Sequence, residues 1–146
     1  MDKVIETFVQ GKRLAVVGVS RSGKKFGNIA SKELKERGYQ LYLIHPEAQQ
    51  IDGEPCYPSL SAVQDKVDGV LVSVPPKQAL NVLKEAAAVG VKNIWLQQGS
   101  ESSEVLVQAK QLGLSVISGK CILMYAPPIR SFHGFHRFVM KLIGQL

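Results

Sequence analysis

The sequence predicts an α/β fold built on a doubly wound parallel sheet. Short apolar runs alternate along the chain with amphipathic stretches of helical length. One of the runs, Val67-Asp68-Gly69-Val70-Leu71-Val72-Ser73-Val74, is almost continuously apolar, as suits a strand buried on both faces. A glycine-rich loop follows the first apolar run directly and leads into a helical pattern. Alternation of this kind requires right-handed crossovers. At 146 residues the chain is expected to be a single domain, 1–146, with its core over about 10–123 and a helical extension over about 131–146.

The elements follow in order. Leu14-Ala15-Val16-Val17 reads as the first strand, and Ile29, Ala30 and Leu34 mark the following helix. Gly38 stops that helix, and Tyr39-Gln40-Leu41-Tyr42-Leu43-Ile44 is the second strand, ending at His45-Pro46. Pro55-Cys56-Tyr57-Pro58 is expected to be a short edge strand, because its prolines cannot donate to a ladder on both sides. Ser59 to Val63 reads as one helical turn before the apolar fourth strand. Pro75-Pro76 opens a helix with Leu80, Leu83 and Ala87 on its apolar side and Gly90 at its end. Asn93-Ile94-Trp95-Leu96 is the fifth strand. Ser102 or Ser103 caps a helix through Leu106, Ala109 and Leu112, which Gly113 terminates. Leu114-Ser115-Val116-Ile117-Ser118 is the last strand. In the Rossmann-like order 3-2-1-4-5, the winding reverses between strands 1 and 4, and their carboxyl-end loops flank one crevice.

Those loops set the chemistry. The first is Gly18-Val19-Ser20-Arg21-Ser22-Gly23-Lys24-Lys25-Phe26-Gly27, which adds two hydroxyls and three cations to a strand–glycine turn–helix arrangement. Glycines let the backbone approach a phosphate, and free N–H groups at a helix start face the anion, so a polyphosphate ligand is expected. A side chain at Gly18 is expected to intrude on the space of that anion. The second loop, Ser73-Val74-Pro75-Pro76, offers a rigid apolar wall suited to an adenine ring or an alkyl arm. The net charge is +6, and no acid lies between Glu6 and Glu33, where Lys12, Arg13, Arg21, Lys24, Lys25 and Lys32 stand. Positive field and anion geometry therefore coincide at the loop. After Glu104 the chain again lacks acids, and there the basic residues read as a solvated face. The aromatics are few and do not interleave with the basic residues, which argues against nucleic-acid binding.

Two familiar phosphate-loop patterns are each missed at a key position. The pattern GxxxxGK[ST] fits Gly18 to Lys24, but Lys25 stands where the magnesium-binding hydroxyl belongs. The pattern GxGxxG fails at Ser20, and the second strand ends in His45-Pro46 rather than in an acid for ribose hydroxyls. A nearby cation suits a 2′-phosphate, so a small NADP-dependent oxidoreductase stays open as the alternative.

Taken together, Val17-Gly18-Val19-Ser20, Gly38-Tyr39, His45-Pro46 and Gly53-Glu54-Pro55-Cys56-Tyr57-Pro58-Ser59-Leu60 form the first half of an ordered set. Val72-Ser73-Val74-Pro75-Pro76, Trp95-Leu96-Gln97-Gln98-Gly99 and Ile117-Ser118-Gly119-Lys120-Cys121 complete it. Over about residues 10 to 123 this set resembles the stand-alone CoA-binding proteins, whose domain is similar to that of the succinyl-CoA synthetase α-subunit. The family's acid–Arg pair before the late cysteine is here Gly119-Lys120. The resemblance implies that Gly18, Ser20, Arg21, Ser22 and Gly23 cradle the CoA pyrophosphate. It also implies that Pro46 borders the nucleotide and that Val74, Pro75 and Pro76, beside Ser73, flank the adenine or upper pantetheine. Arg21, Lys24 and Lys25 supply charge for the additional 3′-phosphate of CoA. Coenzyme A or an acyl-CoA is thus the expected ligand, bound by a carrier, sensor or regulatory module or by a partner completing an acyl-CoA ligase in trans.

No paired carboxylates, Ser/His/Asp set or HExxH is present, so no catalytic constellation is expected. His45 reads as a ligand contact or a cap. His133 and His136, spaced i, i+3, lack the acids or paired cysteine of a metal site. Cys121, just past the last strand, reads as a buried structural residue or as a thiol facing the CoA sulfur. Cys56 and Cys121 lie far apart and form no disulfide pattern, no apolar run nears the roughly 20 residues of a membrane span, and the start lacks a signal-peptide pattern. A cytoplasmic location is expected. Phe132, Phe135, Val139, Leu142 and Leu146 form a stripe on the expected terminal helix, suited to covering a sheet edge or to a homo-oligomer or partner contact.

Overall fold

Apolar runs of four or five residues, each followed within a few residues by a glycine or proline, become the central strands of one sheet. The computed structural model describes residues 3–127. In chain order the elements are helix α1 (Lys3–Gln10), strand β1 (Arg13–Val17), helix α2 (Phe26–Glu36), strands β2 (Gln40–Ile44), β3 (Gln50–Ile51) and β4 (Glu54–Tyr57), and a 3₁₀ turn over Leu60–Val63. Then come β5 (Gly69–Val72), α3 (Pro76–Ala88), β6 (Asn93–Leu96), α4 (Ser103–Gln111), β7 (Ser115–Ser118) and a second 3₁₀ turn over Ile122–Met124. The sheet runs β3-β4-β2-β1-β5-β6-β7, parallel throughout except for the β3–β4 pair.

The expected order of parallel strands is present, and β1 and β5 are the neighbours at the winding reversal, with Val17 opposite Val72. Alternate residues of each central strand feed opposite layers, as the pleat requires. Leu14, Val16, Leu71 and Trp95 pack under α1 and α2, whereas Ala15, Val70, Val72, Ile94 and Leu96 pack under α3 and α4. Pro76 opens α3, and Ser102 caps α4 by accepting from the Val105 N–H at 3.1 Å.

Three features differ from the sequence reading. Helix α1 was not anticipated; it buries Ile5, Phe8 and Val9, and the Phe8 ring lies 5.4 Å from that of Trp95. The expected edge strand is β4, but the outermost place belongs to the two-residue β3, which returns antiparallel against Pro55 and Glu54. Ile29 does not belong to the buried side of α2 and is 46% exposed. Gly27, Ala30, Ser31 and Leu34 form that side instead, because α2 begins almost in contact with the end of β1. A Cβ at Gly27 would lie 2.5 Å from the Gly18 carbonyl oxygen. The expected terminal helix over 131–146, with His133 and His136, lies outside the described residues.

Candidate functional site

The site begins where β1 and β5 end side by side. Gly18 has φ +123°, and a Cβ there would lie 2.1 Å from the Ser73 carbonyl oxygen. Glycine is therefore required by the neighbouring strand's backbone and by its own conformation, a reason additional to the expected intrusion of a side chain on the anion. The Ser73 N–H donates to the Val17 carbonyl at 2.8 Å, so the two loops leave the sheet locked together.

From Ser20 onward the chain turns back on α2. Gly23, at φ +73°, donates from its N–H to the Ser20 carbonyl. The Ser20 and Ser22 hydroxyls lie 2.8 Å apart, and the Lys24 N–H reaches Ser22 Oγ at 3.3 Å. Asn28, only 2% exposed, holds the turn from inside: its Oδ1 accepts from the Ser20 N–H at 2.9 Å, and its Nδ2 donates to the Ser20 carbonyl at 3.0 Å. Sequence reading missed this residue, although a polar side chain in the first turn on the buried side of a helix is the signal that could have found it. Lys25 occupies the N-cap of α2 and supplies no side-chain acceptor to the first-turn N–H groups. A helix start left in this state presents its donors and partial positive charge to an anion.

Arg21, Ser22, Lys24 and Lys25 are exposed around this turn. The fold also brings acids to it, which the local charge count did not reveal. Arg21 lies 3.6 Å from Glu47, and the Asp52 carboxylate is 3.4 Å from where a Cβ on Gly23 would be. His45 is a cap, its Nδ1 accepting from the N–H groups of Glu47 at 3.1 Å and Ala48 at 2.9 Å. That arrangement shapes the turn carrying Pro46, which is exposed.

Across the sheet edge the crevice continues in two joined concavities. One, of about 410 Å³, is lined by Lys25, Phe26, Ser73, Val74, Pro75 and Pro76, together with Gln98 to Ser100. Buried Ser100 braces this wall, its hydroxyl accepting from the Val74 N–H at 3.0 Å and donating to the Val72 carbonyl at 3.2 Å. The second, of about 400 Å³, shares Phe26, Ser73 and Gln98 with the first and ends at Gln97, Cys121, Met124 and Tyr125. Cys121 is buried there without a disulfide partner. The floor is rigid, since Trp95 Nε1 donates to the Lys120 carbonyl at 3.0 Å and Gln97 Oε1 accepts from the Ile122 N–H at 3.2 Å. A cavity of about 650 Å³ adjoins the phosphate turn at Asn28 and Asp52 and runs between α2 and β2 toward Gly38.

Thus Gly18 meets Ser73 where the two loops leave the sheet, Lys25 lines the crevice with Ser73, Val74, Pro75 and Pro76, Cys121 lies at its far end, and Ser20, Arg21, Ser22, Gly23 and Lys24 form the turn between Gly18 and Lys25. Such an arrangement can hold an anion at one end and a slender, largely apolar arm along the other. Residues 12–127 match the family described as the CoA binding domain. The chain belongs to this family.

Relatives of the CoA-binding domain show two settings for it. The uncharacterized protein YneT of Bacillus subtilis is 28% identical over 120 residues, covering 82% of this chain and 89% of the relative. The ADP-forming acetate–CoA ligase I of Archaeoglobus fulgidus is 25% identical over 130 residues, and there the match covers 82% of this chain but 19% of the ligase. Among solved structures, a conserved hypothetical protein from Pyrococcus furiosus shares 36% identity with a TM-score of 0.72, over 76% of this chain and 96% of that one. These matches give no support to the NADP alternative. Among the described residues no helix is long and apolar enough to cross a membrane.

Proposed function

We propose that this CoA-binding domain holds coenzyme A or an acyl-CoA, with the phosphates on the Gly18–Gly27 turn and the pantetheine arm passing Ser73–Pro76 toward Cys121. The single observation that carries the proposal is the family match over residues 12–127, which spans both rims of the crevice. The uncapped N-terminus of α2 and the hydroxyls of Ser20 and Ser22 support the placement of the pyrophosphate. Arg21, Lys24 and Lys25 are the groups for the 3′-phosphate. Because Arg21 is partly neutralised by Glu47, Lys24 and Lys25 carry most of that charge. The protein then acts as a carrier, sensor or regulatory module for CoA. A second reading, a CoA-binding component serving a ligase in trans, is favoured by the match to the α-subunit of ADP-forming acetate–CoA ligase II of Pyrococcus furiosus, 26% identical over 130 residues and covering 28% of that subunit.

Thermal unfolding with added ligand tests the proposal. CoA at about 100 times its dissociation constant is expected to stabilise the protein by about 2.7 kcal/mol. Dephospho-CoA is expected to bind less tightly, and replacing Lys24 and Lys25 with Ala to weaken CoA binding and flatten its salt dependence. A response to NADP with none to CoA would overturn the reading, and equal affinity for CoA and dephospho-CoA would remove the 3′-phosphate from it.

A further inference from the structure

Resting on the CoA reading above, we propose that the cavity beyond β6 and β7 recognises the acyl group of a CoA thioester. In this proposal the Gln97 amide nitrogen donates to the thioester carbonyl. Gln97 directly follows β6 and is 5% exposed. Its Oε1 accepts from the Ile122 N–H, and a backbone N–H can pair only with the oxygen of an amide, so the NH₂ end is directed elsewhere. That nitrogen has no hydrogen-bond partner among the described residues, while the residue lines the 400 Å³ cavity. The nitrogen is open to that cavity rather than sealed in the core, so it is available to an acceptor that arrives with a ligand.

The surroundings define that acceptor. Phe26, Met124 and Tyr125 give the cavity an apolar wall, with Ser73, Gln98, Lys120 and Cys121 as its other polar points. A carbonyl oxygen attached to a short alkyl group satisfies the Gln97 donor and the wall together. The sulfur of free CoA does not, because a thiol is only a weak acceptor. The reach is also suitable. From β1, where the phosphate turn begins, the cavity at β6 is two strand positions away, about 10 Å at the usual spacing, a distance the extended pantetheine arm covers. A site built to hydrogen-bond one group rejects the analogue that lacks it, so Gln97 makes the domain selective for acylated over free CoA.

Affinities of CoA, acetyl-CoA and S-ethyl-CoA for the full chain test this, the last being a thioether of nearly the same shape without the carbonyl. The parent protein is expected to bind acetyl-CoA roughly fivefold more tightly than S-ethyl-CoA, the size of one ordinary hydrogen bond. In Gln97→Glu, which keeps an acceptor for the Ile122 N–H but removes the donor, that ratio is expected to fall to about one. Equal or reversed affinities in the parent, which need no variant to fold, would overturn the proposal, as would a preference that survives in Gln97→Glu. Absence of binding by all three ligands would instead remove the CoA reading, and this inference with it.

Discussion

Asn28 decides the shape of the phosphate turn at the scale of a single side chain. Its amide imitates a strand neighbour, taking the Ser20 N–H and giving to the Ser20 carbonyl, so the turn is held before any ligand arrives. Preorganisation of this kind lowers the ordering cost of binding. Asn28→Leu is nearly isosteric and removes both bonds, and about 1–3 kcal/mol of stability is expected to go with the buried partners left unpaired. Asn28→Asp keeps the acceptor for the Ser20 N–H but sets a carboxylate oxygen against the Ser20 carbonyl. Both variants are expected to lose about tenfold in CoA affinity, and urea unfolding alongside CoA titration would separate the two effects. Full CoA affinity in a folded Asn28→Leu protein would show that the ligand orders the turn unaided.

At the scale of elements, Arg37 joins pieces that lie far apart in the chain. It sits at the C-cap of α2, is 3% exposed, and donates from Nη1 to the carbonyls of Leu123 and Ala126, both at 2.9 Å, and from Nε to Glu33 at 3.0 Å. It thereby fixes the 3₁₀ turn that follows Cys121, and with it the end wall of the crevice. Arg37→Met keeps the apolar stem but abandons two carbonyls and the Glu33 carboxylate. Removing one partner of a buried pair typically costs about 3–5 kcal/mol, and the urea midpoint is expected to fall accordingly. Helix α1 is attached in a similar way, through the Tyr39 hydroxyl donating to the Val9 carbonyl and through Phe8 against Trp95. Gly69 makes room for that ring, since a Cβ there would lie 2.9 Å from Phe8 Cε2.

For the whole molecule, both limbs of the pH–stability profile have assignable groups. Burial pushes the Tyr39 hydroxyl up to about 12 from its usual 10. The unfolded chain therefore loses this proton first, and the stabilisation present below pH 10 is lost as pH rises through about 12. Tyr39→Phe is expected to abolish that part of the alkaline limb while lowering stability at neutral pH by about 1 kcal/mol or more. On the acid side, the hydrogen bond from Arg13 holds the Asp68 carboxyl below its usual 3.8, with Nη2 to Oδ1 at 2.8 Å. Its contribution is present above that usual value and lost as pH falls through the lowered one. The pair is substantially exposed, so its contribution is small. Chemical unfolding followed from pH 2 to 12 in the parent, Tyr39→Phe and Asp68→Asn proteins would read both limbs. An alkaline limb unchanged in Tyr39→Phe would mean that other groups set it.

The order of strands, the ends of most helices and the position of the phosphate turn were legible in the sequence, because each depends on neighbours within a few residues. Apolar runs of strand length, Pro76 at a helix start, Ser102 at another and Gly18 after β1 are local signals of this sort. So was the convergence of the Gly18–Gly27 and Ser73–Pro76 loops, which follows from topology once the alternation is recognised. What remained hidden depended on partners distant in sequence. Nothing near Gly18 announces the Ser73 carbonyl that forbids a side chain there. The acids Glu47 and Asp52 reach the basic turn only because the β2–β4 connection folds back beside it. Gln97 has a free donor only because its oxygen is taken by Ile122, 25 residues away. Backbone propensity and periodicity act over one or two turns of chain, whereas hydrogen-bond satisfaction and close packing are settled by whichever groups the fold brings together. The sequence alone therefore determined the fold and the rim of the crevice, and the tertiary structure decided how that rim is held and what its far end can accept.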